Sequence, residues 1–372
     1  MIKVRWNGPC MDSSGYAAAT RTWLSALIDH TELDLTIRVA SFEQIKTPHV
    51  NFEQKTKHFI ERSLQPNINI VHLTPENYPT FRQTNCYNIA CTVWETEQLP
   101  KEWTALCNSM DEVWVPSEWN KEIFINSGIT KPVYVIPHII KEQSLDNVIP
   151  LNVGTDDTTF IFYSIFQWIA RKNPIALLQA YLTEFESHEN VCLVLKTYRM
   201  NSSQEEQSLI KQDIMSIKKG LNLESYPQMR FFGGLFSEKQ MLSLHKRGDC
   251  FVLPHKGEGF GIPIAEAMLF GKPVIATNYS ANVEFMNTEN SYLINSRRTP
   301  VAGMIFGKYT GKMIWGDPDI LHLRTLMRCV YNHRNEAIEK GIKAKEFIKD
   351  HFNEITIANK IVNRLKAIQG VK

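Results

Sequence analysis

Two glutamates lie close together in a glycine-rich passage of the chain, "HKGEGFGIPIAEAMLFGKPVIAT", at residues 255–277. Glu258 stands among the glycines, and Glu266 follows eight positions later in a short helical pattern. The preceding run "CFVLPH" predicts a buried strand. Pro263 suits the first position of a helix, and Gly271 would end that helix after about two turns. The spacing therefore predicts one carboxylate in a loop and a second inside the helix that follows.

The start of this predicted helix favours an anion. Its free N–H groups and positive dipole end attract phosphate, and Gly259 and Gly261 let the backbone approach a ligand closely. Carboxylates instead accept hydrogen bonds from paired hydroxyls, so Glu266 suits a ribose diol and Glu258 suits the hydroxyls of a sugar. A nucleotide sugar carries phosphate between two such ends. On spacing alone, a solvated Glu258 and a Glu266 that stabilises the first helical turn explain the passage equally well.

Further polar residues occur at predicted strand ends. Arg171 and Lys172, in "ARKNP", follow the first predicted strand of the second half of the chain, and such cations suit a diphosphate leaving group. Gly15 belongs to a loop that opens the first predicted helix, which Ser13 or Ser14 can cap. Glu95, in "CTVWETEQLP", could orient an acceptor or accept its proton, and a satisfied or solvated carboxylate is an equally good interpretation.

The chain offers no set of residues with the spacing of a metal site. In "GDPDI", Asp317 before Pro318 is interpreted as the cap of the helix that begins with "ILHL". The seven cysteines are dispersed, which argues against a zinc cage and against a disulfide framework. His138, His245 and His255 are interpreted as structural histidines. We expect no metal and no cofactor.

Length and charge narrow the function classes. The 372 residues suffice for two domains, and 41 basic against 39 acidic residues give a net charge of +2, so we expect no nucleic-acid partner. The N-terminal twenty residues lack the apolar region of a signal peptide, and no apolar run is long enough for a membrane span. We expect a soluble cytoplasmic protein, and leave open peripheral membrane contact and the oligomeric state.

Short β-branched runs alternate with helical patterns in both halves of the chain, as in a doubly wound parallel sheet. We expect an α/β protein with two Rossmann-like domains that face each other across a cleft. The predicted first domain is residues 1–140 together with a C-terminal helix at 354–372. A polar, aperiodic linker at 141–158 would serve as a hinge before the second domain at 159–353. The predicted strands are "IKVRW", "LDLTIRVA", "INIVHL", "NIACTVW", "DEVWVP", "PVYVIPH", "TFIFYSIF", "VCLVLKTY", "MRFFGG", "CFVLPH" and "KPVIAT".

The glycine-rich passage resembles the Glu-x7-Glu signature of retaining glycosyltransferases of family 4, which have the GT-B fold. The similarity extends in the family's order to "DEVWVPSEWNKEIFINSG", "PVYVIPHII", "YSIFQWIARKNPIALLQAY" and "RFFGGLFSEKQMLSLHKRGDCFVLPH". The resemblance implies an enzyme that uses a nucleotide-diphosphate sugar as co-substrate and a hydroxyl acceptor on a glycan, a lipid or a protein.

The resemblance also implies roles for individual residues. Lys172 takes the role of the family's phosphate-binding lysine and Arg171 assists, while Gln167 stands where relatives often have another arginine. Gly15 would bring a backbone N–H to the donor phosphate. Trp94 or Glu95 occupies the place of a histidine found in many relatives.

The donor-binding residues that the resemblance implies are Gly15, Arg171, Lys172, Glu258, Gly259, Phe260, Gly261 and Glu266. Glu258, Lys172, Arg171 and Glu95 are the residues expected to take part in catalysis. Two alternatives stay open at this point: a nucleotide-sugar epimerase of the same fold, and a non-catalytic nucleotide-sugar-binding partner of another transferase.

Overall fold

The computed structural model describes residues 1–40, 49–302 and 308–370, and its chain divides into two compact units. The first unit comprises Met1–Lys141 and Asp350–Lys372, and the second comprises Glu142–Lys349. Each contains a six-stranded parallel sheet with helices between the strands. The α/β class and the two doubly wound sheets predicted from the sequence are confirmed.

The first unit alternates strands and helices from its N-terminus, and its sheet has the order β2-β1-β3-β4-β5-β6. Its elements are β1 (Ile2–Gly8), α1 (Gly15–Leu27), β2 (Leu33–Val39), α2 (Val50–Thr56), β3 (Ile68–His72), α3 (Tyr78–Phe81), β4 (Tyr87–Cys91), α4 (Lys101–Asn108), β5 (Glu112–Val115), α5 (Glu118–Asn126) and β6 (Val133–Val135), with a 3-10 turn at Pro75–Asn77.

The second unit has the sheet order β12-β11-β10-β7-β8-β9, and β13 pairs with β14 in a separate antiparallel hairpin. Its elements are β7 (Phe160–Gln167), α6 (Pro174–Glu184), β8 (Val191–Tyr198), α7 (Gln204–Leu221), β9 (Gln228–Phe232), α8 (Glu238–Arg247), β10 (Cys250–Leu253), α9 (Ile262–Leu269), β11 (Val274–Thr277), β12 (Tyr292–Ile294), β13 (Ser296–Pro300), β14 (Ile314–Pro318), α10 (Ile320–Asn332) and α11 (Arg334–His351), with 3-10 turns at Ala170–Lys172 and Ala281–Glu284.

The C-terminal helix α12 (Glu354–Gly370) packs into the core of the first unit. Ile361 and Leu365 on its apolar face are fully buried. On the same helix, Arg364 donates to Glu112 of β5 over 2.5 Å, and its guanidinium carbon lies 3.8 Å from the ring centre of Tyr134. The helix thus covers hydrophobic surface and also neutralises a carboxylate that is fully buried.

The polar segment predicted as a linker belongs to the second unit, because its backbone is held there. The N–H of Leu151 donates to the carbonyl of Ser243 over 2.9 Å. The guanidinium of Arg230 donates to the carbonyls of Val153 and Gly154 over 3.1 and 3.0 Å. These contacts anchor residues 151–154, and the hinge role of the segment stays a prediction.

The hairpin formed by β13 and β14 was missed in the sequence, and it corrects the interpretation of Asp317. That residue lies in β14, where its carboxylate pairs with Lys256 over 2.9 Å. The cap of α10 is Asp319, which accepts from the N–H groups of Leu321 and His322. The prediction of an acidic cap was therefore wrong by two positions.

No helix in the described ranges is long and apolar enough to cross a membrane.

Candidate active site

Two turns of the second unit meet at the carboxyl edge of its sheet. Strands β7 and β10 are parallel neighbours, with Phe162 opposite Cys250. The turn Ala170–Lys172 follows β7, and the glycine-rich loop at 254–261 follows β10. The sheet order reverses between these two strands, and ligands of doubly wound sheets bind at such a switch point.

The cations of the first turn contact the carboxylate of the second. Lys172 Nζ donates a hydrogen bond to Glu258 Oε1, and Arg171 Nη1 lies 3.7 Å from Glu258 Oε2. The three side chains are between 6% and 16% exposed. The structure therefore brings together three of the four residues that we expected to take part in catalysis.

The electrostatics of this cluster keep Glu258 ionised. Burial alone would raise the pKa of Glu258, but the positive charges of Lys172 and Arg171 outweigh burial and lower it. Next to it, burial lowers the pKa of His255 to about 3, so the imidazole is neutral at physiological pH. Glu258 is consequently a poor general acid, and its negative charge is available to position the two cations.

The glycine-rich loop is fixed by hydrogen bonds to its neighbours. Arg171 accepts from the N–H of Lys256 through its carbonyl and donates from its side chain to the carbonyl of Gly257, both over 2.7 Å. The N–H of Glu258 donates to Ser280 Oγ over 2.7 Å. Ser280 has a φ of +69°, a conformation that non-glycine residues adopt at a cost. Such strain is typical of functional sites, and here it aims the hydroxyl at the loop.

The glycines and Phe260 shape the start of α9. Gly261 caps the helix with a φ of +98°, which favours glycine at this position. Pro263 is the second helical residue rather than the first. Phe260 is 3% exposed and packs on Phe285, with ring centres 5.3 Å apart. Phe260 thus has a packing role, and its donor contact stays a prediction.

Glu266 is half-buried and is the fifth residue of α9. It lies in the second helical turn, so stabilisation of the first turn, which the sequence left open, does not explain it. Burial raises the pKa of Tyr163, and the charges of Cys250 and Glu266 raise it further. The carboxylate of Glu266 is therefore close enough to the ring of Tyr163 to act on it electrostatically.

The residues expected from the first unit lie near its own carboxyl edge. Gly15 is the first residue of α1, which Ser14 caps, and a Cβ there would meet no atom within 4 Å. Glu95 is 8% exposed and follows β4. Burial, with a smaller effect from the charge of Glu95, raises the pKa of Tyr16.

Trp94 has a structural role. Its indole N–H donates to Thr96 Oγ1 over 2.6 Å and to the carbonyl of Gln98 over 2.8 Å. Its backbone N–H donates to Asn120 Oδ1. The correspondence of Trp94 or Glu95 to the family histidine stays a prediction.

Histidines and acidic residues do not form a metal-ligand cluster of three or more in the described parts of the chain. Burial lowers the pKa of His138, His245 and His255 to about 3 in each case. Neutral, enclosed imidazoles are in keeping with structural histidines. Independence from metal stays a prediction.

Lys256 and Ser280 were missed in the sequence. Lys256 pairs with Asp317, lies 4.9 Å from the ring centre of Trp315 and accepts through its carbonyl from the N–H of Gly316. The hairpin of β13 and β14 thereby supports the glycine-rich loop. The position of Lys256 next to that loop was a usable clue, whereas nothing in the sequence around Ser280 marks its strained backbone.

Comparison with known proteins agrees with this geometry. The family model described as "Glycosyl transferases group 1" matches residues 152–299. The matched residues lie within the second unit. The match includes the turn at 170–172, the glycine-rich loop and α9, and it ends inside β13.

One curated relative is "Putative glycosyltransferase 45" of Sulfolobus islandicus filamentous virus (isolate Iceland/Hveragerdi), 23% identical over 256 residues. The alignment covers 67% of this chain and 65% of the viral protein, so the chain spans less than two thirds of that relative's length.

Solved structures share the architecture over nearly the whole chain. HepE of Anabaena in complex with UDP and glucose is 14% identical, with a TM-score of 0.68, and covers 99% of this chain and 100% of its own. Sucrose-phosphate synthase from Thermosynechococcus elongatus is 12% identical, with a TM-score of 0.73 and full coverage of both chains. A glycosyltransferase from Rickettsia africae is 14% identical, with a TM-score of 0.73, and covers 99% of this chain and 98% of its own. The chain has the GT-B fold.

Proposed function

We propose that this protein is a retaining glycosyltransferase of family 4 that transfers a sugar from a nucleoside-diphosphate sugar to a hydroxyl acceptor. The observation that carries the proposal is the cluster of Arg171, Lys172 and Glu258 at the switch point of a group 1 domain. The Glu-x7-Glu spacing of Glu258 and Glu266 and the UDP-glucose complex of HepE support it.

The reaction breaks the bond between the anomeric carbon and the departing phosphate oxygen. Negative charge grows on the diphosphate as this bond lengthens, and Lys172 and Arg171 stabilise that charge. The acceptor oxygen attacks from the face that the phosphate leaves, so the anomeric configuration is retained. The acceptor proton passes to the departing phosphate oxygen, and no protein nucleophile is required.

Glu258 has two functions in this scheme. Its carboxylate holds both cations, and its remaining lone pairs accept from sugar hydroxyls. Glu266 binds the ribose diol, Gly15 donates its N–H to the donor phosphate, and Glu95 orients the acceptor. The backbone of Gly259 to Gly261 lies against the donor.

The test begins with thermal unfolding in the presence of a panel of nucleotide sugars, because a ligand that binds the folded state raises its melting temperature. We expect one nucleotide sugar to raise the melting temperature of the wild type, and to raise that of Lys172→Met by less. The product made from that donor and a hydroxyl acceptor is then examined by NMR for its anomeric configuration. An inverted product would contradict retention, and release of a modified sugar without acceptor would favour an epimerase.

A further inference from the structure

Lys196 is a buried cation in the second unit for which the described residues provide no counter-charge. It lies in β8, opposite Ile165 of β7 and Phe232 of β9, and its residue is 7% exposed. Neither an ion pair nor a hydrogen bond of its ammonium occurs among the described residues. Its close neighbours are two aromatic rings, Phe236 at 5.2 Å and Tyr198 at 5.9 Å from Nζ to the ring centres.

Aromatic faces compensate only part of the lost hydration of an ammonium group. Accordingly, burial lowers the pKa of Lys196 to about 8. The other lysines of this edge are differently placed, since Lys172 contacts Glu258 and Lys256 contacts Asp317. A buried lysine without an anion in a ligand-binding unit is most simply explained if the ligand brings the anion.

The charge of the neighbouring cluster points the same way. Arg171 and Lys172 bring two positive charges, and Glu258 cancels one of them. A nucleoside-diphosphate sugar carries about one negative charge on each phosphate. The cluster thus falls short of the diphosphate by one positive charge. Lys196 lies near the carboxyl end of β8, next to β7, whose following turn carries Arg171 and Lys172.

We propose that Lys196 is a third cation of the donor site and binds the diphosphate of the nucleotide sugar. The inference rests on the proposed function. It assigns to Lys196 the charge that the sequence lacks at Gln167, a residue whose amide instead donates to the carbonyl of Arg199 over 2.8 Å.

The experiment measures binding of UDP, GDP and ADP to the full chain by calorimetry, and uses the tightest of the three. At pH 7, Lys196→Met should weaken binding about tenfold, whereas Lys196→Arg, which stays charged, should bind as the wild type does. The matched control is Lys218→Met. Lys218 also lies over an aromatic ring, 5.0 Å from Tyr226, but belongs to α7, and its loss should leave binding unchanged.

A pH series separates charge from shape. Between pH 7 and pH 9.5 the wild type should lose affinity until it approaches Lys196→Met, while Lys196→Arg stays level. Among the described contacts of the ammonium, Tyr198 is the titratable group, so Tyr198→Phe is measured in parallel. This variant should lose affinity between pH 7 and pH 9.5 as the wild type does. Persistence of the loss in Lys196→Arg would overturn the proposal.

Competition by pyrophosphate locates the contact, since Lys196→Met should weaken pyrophosphate and the nucleotide by similar factors. Weakening of the nucleotide alone would overturn the diphosphate contact. If Lys172→Met weakens binding but Lys196→Met does not, this inference fails and the proposed function stands. If no nucleoside diphosphate binds the wild type, the proposed function itself fails.

Discussion

Lys172 donates a hydrogen bond to Glu258 across 86 residues of sequence, and the two side chains are 12% and 6% exposed. Removal of Glu258 leaves Lys172 without its carboxylate in a poorly hydrated site, whereas removal of Lys172 leaves Glu258 with Arg171 as its counter-charge. In the proposed reaction the lysine changes its main partner as charge develops on the leaving diphosphate. The pair therefore links the stability of the second unit to catalysis.

Lys172→Met should lower kcat by roughly 10²- to 10³-fold, the size typical of a lost transition-state donor, and should raise KM for the donor by much less. Initial rates at varied donor concentration test this expectation. Lys172→Arg keeps the charge and should recover part of kcat. A near-normal kcat in Lys172→Met would mean that another cation stabilises the leaving group.

The buried histidines should make the protein sensitive to acid. The pKa of His255 is about 3 in the folded protein against an ordinary 6.5. Between these two values the unfolded chain binds a proton at His255 and the folded chain does not. Stability is therefore lost as pH falls below about 6.5, and the loss continues towards pH 3. Between pH 7 and pH 5, His255→Leu should lose about 2 kcal/mol less stability than the wild type.

Urea unfolding at the two pH values measures this difference, with the exposed His58→Gln as control. Both nitrogens of His255 lack a hydrogen-bond partner among the described residues, so an apolar replacement strands no polar group. Equal acid sensitivity in His255→Leu and in the wild type would show that His255 does not contribute.

The parallel sheets could be predicted because their strands are continuous apolar runs. "VCLVLKTY" matches β8 residue for residue, and each of its first seven residues is buried. The hairpin lacks this signal and was missed. The segment "SRRTP" of β13 is mostly exposed and has neither an apolar run nor a clear alternation of apolar and polar residues. Strand β14 also contacts the loop around Lys256 through the N–H of Gly316, a contact that local sequence does not reveal.

The candidate site was predictable as residue types but not as contacts. Glycines, cations and carboxylates that follow predicted strands can be identified in the sequence. Because the carboxyl ends of parallel strands meet at one edge of the sheet, these residues are expected to lie near each other. The direct contact of Lys172 with Glu258, and the isolation of Lys196 from any described anion, depend on side-chain positions in three different strand–loop units. Such information is carried by tertiary packing rather than by a local pattern.

Glu266→Ala should act mainly on donor binding. Hydrogen bonds to a ribose diol are equally strong in the ground and transition states, so their loss raises KM by about tenfold and leaves kcat nearly unchanged. Steady-state kinetics with the donor identified above provide the measurement. An unchanged KM with a collapsed kcat would contradict the ribose contact and would place Glu266 at the reacting centre.

Chelation should leave activity within roughly twofold of the untreated enzyme, since cations and helix N–H groups meet the phosphates. Activity is measured after EDTA treatment and gel filtration. Complete loss that Mg²⁺ or Mn²⁺ restores would contradict this prediction. In that case Asp317 and Asp319, two acidic residues at the end of β14, would be the first positions to substitute.

Gly15→Val tests the proposed contact between the first helix and the donor phosphate. Within the first unit a Cβ at Gly15 meets no atom within 4 Å, and the residue is exposed, so valine fits without disturbing its own unit. If the glycine is there to let a phosphate approach its N–H, valine should reduce turnover at least tenfold by keeping the phosphate away. Binding of nucleoside diphosphate should change little, because most of its proposed contacts belong to the second unit.

Gly220→Val in α7 is the matched control for Gly15→Val. Gly220 is also exposed and has no atom within 4 Å of the added Cβ, so the turnover of this variant should be normal. Equal turnover in Gly15→Val and the control would show that the N–H of Gly15 does not meet the donor.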